Sequence, residues 1–282
     1  MLYRAEGIVI RSTDYGEGNK IVTLLTPTFG KQGIVVRGAK KPKSRYGALA
    51  QLFTYGDYSY YRSSSLGTLN SGEIIESFQA LREGLEGPAY AAYAAELTDR
   101  AIQDDESAAY LFHQLKAFQE ALAGGKDPEV VLRAYEMKVV AAAGYAPMLD
   151  ECANCGRAEG ASRFSPLAGG ALCDRCGHRD PSAMELADPV WKLLRVFRAL
   201  DLRRLGNVSV RESSRRQLRQ ALRRWMDAHL NLNLKSRSFL DQLEKYGELL
   251  TERPRRAEPA PPQAPNAGAG SGAGGEESGG TV

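Results

Sequence analysis

A chain of 282 residues, 43% of them hydrophobic, has room for about two domains with buried cores, and it holds no apolar run near the ~20 residues of a membrane-spanning helix. Its start, Met1-Leu2-Tyr3-Arg4-Ala5-Glu6, lacks the regions of a secretory signal, so a cytoplasmic protein without membrane association is expected, its cysteines reduced and free to bind metal. The net charge of +3 hides segregation: residues 81–150 carry 6 basic and 12 acidic side chains, residues 191–237 carry 13 and 3, and residues 31–45 carry 6 and none. Positive segments of this kind favour a polyanionic partner, the plainer alternative being solvated helix faces.

Residues 1–80 read as five short strands, about 3–11, 20–26, 33–38, 52–61 and 67–77, rich in Ile, Val, Thr, Tyr and Phe. Turn residues separate them, among them Asp14-Tyr15-Gly16-Glu17-Gly18 and the stretch from Gly38 to Gly47. Five strands in so short a span suit a Greek-key barrel of the OB type. Between the third and fourth lies Arg37-Gly38-Ala39-Lys40-Lys41-Pro42-Lys43-Ser44-Arg45. Its five cations cannot all be buried; they can track phosphates, with Ser44 and backbone N–H groups adding hydrogen bonds. Strict alternation puts Phe53, Tyr55 and Tyr61 on one face and Tyr58 and Tyr60 on the other, so one set fills the barrel and the other can offer stacking surface. Gly56 marks a candidate bulge that shifts this register.

From Pro88 the pattern is helical: 89–102, 107–122 and 128–143 read as packed helices, the last opened by Asp127-Pro128 and stopped by Gly144. The four cysteines of the chain follow as C-x2-C-x17-C-x2-C: Cys152, Cys155, Cys173 and Cys176. This is the spacing of a closed four-thiolate site for a structural Zn²⁺, with Gly156 and Gly177 after each pair to allow tight knuckles; two disulfides or unrelated core thiols are the alternatives. Asp188-Pro189 opens another helix, with Val190, Leu193, Leu194, Phe197 and Leu200 as its apolar stripe and Lys192, Arg195 and Arg198 on a different face. A helix over about 211–230 buries Leu218, Leu222 and Trp225 and displays Arg215, Arg216, Arg219, Arg223 and Arg224. From about 251 the composition predicts a disordered tail. The fold class is therefore α+β: an OB barrel over 1–80, a helical domain over 81–250 with a zinc finger inserted at about 150–178, and a tail over 251–282.

No catalytic constellation emerges. His113, His178 and His229 stand far apart, in neither H-x-E nor H-E-x-x-H. Gly124-Gly125-Lys126 runs into Asp127 and is preceded by Glu120, so a phosphate-binding P-loop fails. Asp104-Asp105-Glu106 reads as an exposed connection between helices. A protein that is not an enzyme is expected.

Several separate motifs occur in one order: Asp14-Tyr15-Gly16-Glu17 with Lys20-Ile21 and Thr23-Leu24-Leu25-Thr26; the basic run from Arg37 to Ser44; Gly144-Tyr145-Ala146-Pro147 before the first cysteine pair; Phe164-Ser165-Pro166 with Gly169-Gly170 before the second; and Lys235-Ser236-Arg237-Ser238-Phe239-Leu240. Over about residues 1–247 the chain thereby resembles RecO, a family of bacterial recombination mediators and DNA-annealing proteins. The resemblance implies an N-terminal OB-fold, a helical domain with an inserted zinc finger, and cytoplasmic work at the nucleoid. It implies binding of single- and double-stranded DNA, annealing of complementary strands, and help in loading RecA onto strands covered by single-stranded-DNA-binding protein. RecR and the acidic C-terminal tail of that binding protein are the implied partners. The family's basic loop falls on Arg37, Lys40, Lys41, Lys43 and Arg45, and its thiols, where members have them, on Cys152, Cys155, Cys173 and Cys176. A general OB and zinc-ribbon module serving transcription or translation is the second reading, and a thiol redox protein or zinc hydrolase the third.

Overall fold

The computed structural model describes residues 1–252 apart from 64, 103–107 and 159. The expected acidic connection at 104–106 and almost all of the expected tail lie outside the described residues. Residues 1–244 form one compact unit; residues 245–282 form a second, described only as far as 252.

The N-terminal part is a closed five-stranded barrel built from β1 (Leu2–Tyr15), β2 (Asn19–Thr26), β3 (Gly30–Val36), β4 (Tyr55–Arg62) and β5 (Leu66–Glu76). Its strand order is β1-β2-β3-β5-β4, with β3 and β5 parallel and β4 closing on β1, which is the OB-fold. Val9, Val22, Leu24, Ile34, Val36, Tyr58 and Tyr60 fill the barrel. Ile8, Ile10 and Leu25, on the opposite face of β1 and β2, join the core of the helical half. This double duty explains why Gly7 to Ile10 are buried without the alternation of a half-wet strand.

The aromatic pattern divides at Gly56. The register of β4 against β5 shifts between Tyr55 and Gly56, so the expected bulge is present, and a Cβ at Gly56 would lie 2.6 Å from the Glu73 carbonyl oxygen. Beyond it Tyr58 and Tyr60 point inward and Tyr61 outward, as alternation requires. Before it, Phe53 and Tyr55 do not share an open face with Tyr61: both are buried in the helical core, with the Tyr55 ring 6.0 Å from that of Phe112.

The helices are α1 (Glu86–Ala101), α2 (Ala108–Ala123), α3 (Pro128–Ala142), α4 (Asp188–Ala199), α5 (Glu212–His229) and α6 (Lys235–Glu252). Asp127 caps α3 by accepting from the Val130 N–H at 3.1 Å. Asp188 does not repeat this role, because it is itself the first residue of α4 and Ala187 occupies the cap. The apolar stripe of α4 includes Trp191, buried with Val190, Leu194 and Phe197. α3 lies at the centre, packed by α1, α2, α4 and α5, and is buried on every side, its charged Arg133, Glu136 and Lys138 included. Between α3 and α4 the chain inserts a three-stranded sheet, order β7-β6-β8, from β6 (Ala161–Ser165), β7 (Gly170–Cys173) and β8 (Met184–Glu185). The four cysteines cluster there.

Candidate nucleic-acid interface and metal centre

The basic segment leaves the barrel at the end of β3 and is pinned where it leaves. Gly38 takes a φ of +68°, a conformation that glycine adopts without strain. Its N–H donates to the Asn19 side-chain oxygen at 2.9 Å, and the Lys40 N–H donates to the Gly18 carbonyl at 3.1 Å. Two turns follow, closed by Lys41 N–H to Gly38 O at 3.1 Å and Ser44 N–H to Lys41 O at 2.9 Å. The turns aim Arg37, Lys40, Lys41, Lys43 and Arg45 into solvent, all five exposed. The structure thus brings the Asp14-Tyr15-Gly16-Glu17 motif against the basic run, two segments that the sequence shows only as separate signals. Arg37, Lys41, Lys43 and Arg45 have no acidic partner among the described residues, whereas Lys40 pairs with Asp14 at 2.7 Å. Arg45 lies over the Tyr46 ring at 5.3 Å. The Ser44 hydroxyl accepts from the Tyr46 N–H at 3.2 Å, which leaves its own proton for a phosphate.

The second basic segment is a different matter. Arg215, Arg219 and Arg223, expected on an open face of α5, are largely covered and are held by carboxylates. Arg219 pairs with Glu129 at 2.6 Å and Glu244 at 3.1 Å, Arg215 with Asp127 and Glu129, and Arg223 with Asp241. On α4, Arg198 and Arg195 both reach Asp150. The acidic middle of the chain folds against its basic end, so much of the charge of 191–237 neutralises α3 rather than facing a ligand. The opposite charge of the two segments is the sequence signal that anticipates this. Lys192, Arg204, Arg211, Arg224 and Lys235 remain exposed without a salt bridge to an acidic side chain among the described residues, and Arg216 is exposed beside Glu212.

The four thiols converge. Their sulfurs all lie within 4.8 Å of one another, none is in a disulfide, and Cys155 Sγ is 3.8 Å from Cys173 Sγ. A tetrahedral ion with metal–sulfur bonds of about 2.3 Å has sulfur–sulfur edges of about 3.8 Å, so the set fits one zinc-sized cation. The knuckles also present donors to sulfur, Cys173 N–H to Cys152 Sγ at 3.4 Å and the Asn154 amide to Cys176 Sγ at 3.2 Å. Burial opposes ionisation of Cys152, but hydrogen bonds from the backbone of Cys173, Asn154 and Cys155 outweigh it and bring its thiol down to about 6. Cys176 is helped by the Asn154 amide, yet burial and the neighbouring sulfurs push it up to about 11. The β6–β7 turn is held by Gly170, whose φ is +146° and where a Cβ would sit 2.1 Å from the Met148 carbonyl oxygen.

An OB barrel with a pinned cationic loop, backed by a helical part with an insert that gathers four cysteines, is the architecture these residues build. Residues 1–78 match the family described as "Recombination protein O N terminal", and residues 82–238 the family described as "Recombination protein O C terminal". The chain belongs to the RecO family of DNA repair proteins. It is 43% identical over 247 residues to the DNA repair protein RecO of Halalkalibacterium halodurans, covering 88% of this chain and 97% of the relative. It is 42% identical over 252 residues to that of Bacillus subtilis, covering 89% and 99%. Among the described residues no helix is long and apolar enough to cross a membrane.

Proposed function

We propose that this protein is a non-catalytic recombination mediator that binds single- and double-stranded DNA through the loop 37–45 and anneals complementary strands. The observation that carries the reading is the pinned loop itself, with four exposed cations that have no acidic partner among the described residues. Contacts of this kind hold backbone phosphates and leave base edges free to pair, which is what annealing requires. Nucleotide hydrolysis has no part in such a step. The family resemblance adds RecR, RecA loading and the acidic tail of single-stranded-DNA-binding protein as partners. In this reading the barrel and the helical half act as separate domains, and Cys152, Cys155, Cys173 and Cys176 hold one structural Zn²⁺ whose coordination the protein completes. The test is annealing of complementary oligonucleotides by a variant with Arg37, Lys41, Lys43 and Arg45 all changed to Ala. Unaltered binding and annealing would remove the loop from the mechanism.

A further inference from the structure

The end of β1 places one carboxylate against Lys40 of the cationic loop. Asp14, at the end of β1, lies 2.7 Å from Lys40 Nζ and 3.4 Å from Lys20 Nζ. The hydrogen bond from Lys40, ahead of the other influences, holds the Asp14 carboxyl below the usual range. The path of the loop is fixed independently of this pair, by the hydrogen bonds from the Gly38 N–H to the Asn19 side-chain oxygen and from the Lys40 N–H to the Gly18 carbonyl. The carboxylate therefore acts on the charge of the loop more than on its shape.

We propose that Asp14 is a charge mask: it keeps Lys40 paired within the protein and so lowers both the affinity of the loop for DNA phosphates and the salt dependence of that affinity. The proposal rests on the DNA-binding reading of the loop. A phosphate that approaches Lys40 must displace a carboxylate already in place. That exchange swaps one anion for another, so it yields less of the counterion release that drives binding to free cations. Arg37, Lys41, Lys43 and Arg45 are unmasked and carry the grip. A moderated grip suits a protein that must let go once two strands have paired, because a strand held by every available cation leaves slowly.

The experiment is equilibrium binding of a fluorescein-labelled oligodeoxythymidylate of roughly 20 nucleotides to the full chain across a salt series. Asp14→Asn is expected to tighten binding about threefold at low salt, the scale of one exposed ion pair. It is also expected to steepen the log–log salt slope by about 0.7, the value of one added phosphate contact on a single strand. Asp14→Glu, which keeps the charge, should keep the wild-type slope. Lys40→Ala should cost more affinity in the Asp14→Asn background than in the wild type. An unchanged slope in Asp14→Asn, weaker binding by that variant, or strict additivity of the two substitutions overturns the mask. The combined Lys41→Ala, Lys43→Ala and Arg45→Ala variant separates the two levels. A slope unchanged there removes the loop from DNA binding altogether, whereas a shallower slope beside an inert Asp14→Asn removes only the mask.

Discussion

Glu244 on α6 accepts a hydrogen bond from Arg133 on α3 at 2.6 Å, and each side chain is only 2% exposed. The same guanidinium reaches Glu136 with a second nitrogen at 2.8 Å, and Arg219 on α5 approaches Glu244 from the other side at 3.1 Å. Burial pushes the Glu244 carboxyl up while the two arginines pull it down. Removing one member of such a network leaves a buried charge with too few partners. Glu244→Ala should destabilise the protein by about 3 kcal/mol, and Glu244→Gln, which keeps shape and an acceptor, by clearly less. Urea unfolding measures both, and equal losses would show that the lost charge, not shape or the retained acceptor, sets the cost.

The start of α6 is capped by a residue far away in the chain. The Glu96 carboxylate of α1 accepts from the Lys235 N–H at 3.0 Å and from the Ser236 N–H and hydroxyl at 2.8 and 2.6 Å. Burial raises the Glu96 carboxyl, but these bonds outweigh it and its net position is lowered. A carboxylate lowered in the folded state gives stability that is present above its unfolded value, about 4.3 for Glu, and is lost as pH falls through the folded one. Asp227, lowered by its hydrogen bond from Arg237 on α6, acts in the same direction. Hydrogen exchange, corrected for its intrinsic pH dependence, should show α6 amides losing protection below about pH 4, before those of α3. Glu96→Gln should reduce the protection already at pH 7.

These tertiary anchors also explain what the sequence leaves illegible. The barrel is readable because each strand carries its own β-branched alternation and turn residues, and the Gly56 bulge shows as a glycine within a strand pattern. The anchoring of α6 is not readable, because its cap comes from Glu96 and Asp241 and Glu244 take partners on α3 and α5, none of them local. The open arginine face expected on α5 holds at Arg216 and Arg224 but fails at Arg215, Arg219 and Arg223 for the same reason: counting charges finds the cations, but not the carboxylates near α3 and on α6 that hold those three. The cysteines are legible by spacing alone, since each pair closes its own knuckle. The contact between Lys40 and Asp14 joins two readable motifs in a way that neither one announces.

If the thiols hold zinc, metal content should be one ion per chain, and its removal by a chelator should act locally. Exchange protection should collapse around β6, β7 and the knuckles while the barrel strands keep theirs, because the barrel has its own core. Affinity for single-stranded DNA should change less than about twofold, since metal binding here is linked to folding of the finger rather than to the loop. Changing the four cysteines to Ser should reproduce the chelated state. Disulfides found in place of metal would end the zinc assignment.

Arg219 and Arg45 stand in two different settings that a single pair of measurements distinguishes. Arg219 is bound into the helical core by Glu129 and Glu244, so its loss leaves those carboxylates short of a partner. Arg45 stands exposed on the loop over the Tyr46 ring, with no acidic partner among the described residues, so its loss leaves no described carboxylate short of a partner. Arg219→Ala should therefore lower the urea midpoint by an amount equivalent to about 3 kcal/mol and leave the salt slope of DNA binding unchanged while the protein stays folded. Arg45→Ala should move the midpoint by no more than about 0.5 kcal/mol and make the slope shallower by about 0.7. A shallower slope for Arg219→Ala at full folding would mean that α5 does meet DNA in solution, despite the carboxylates that hold it here.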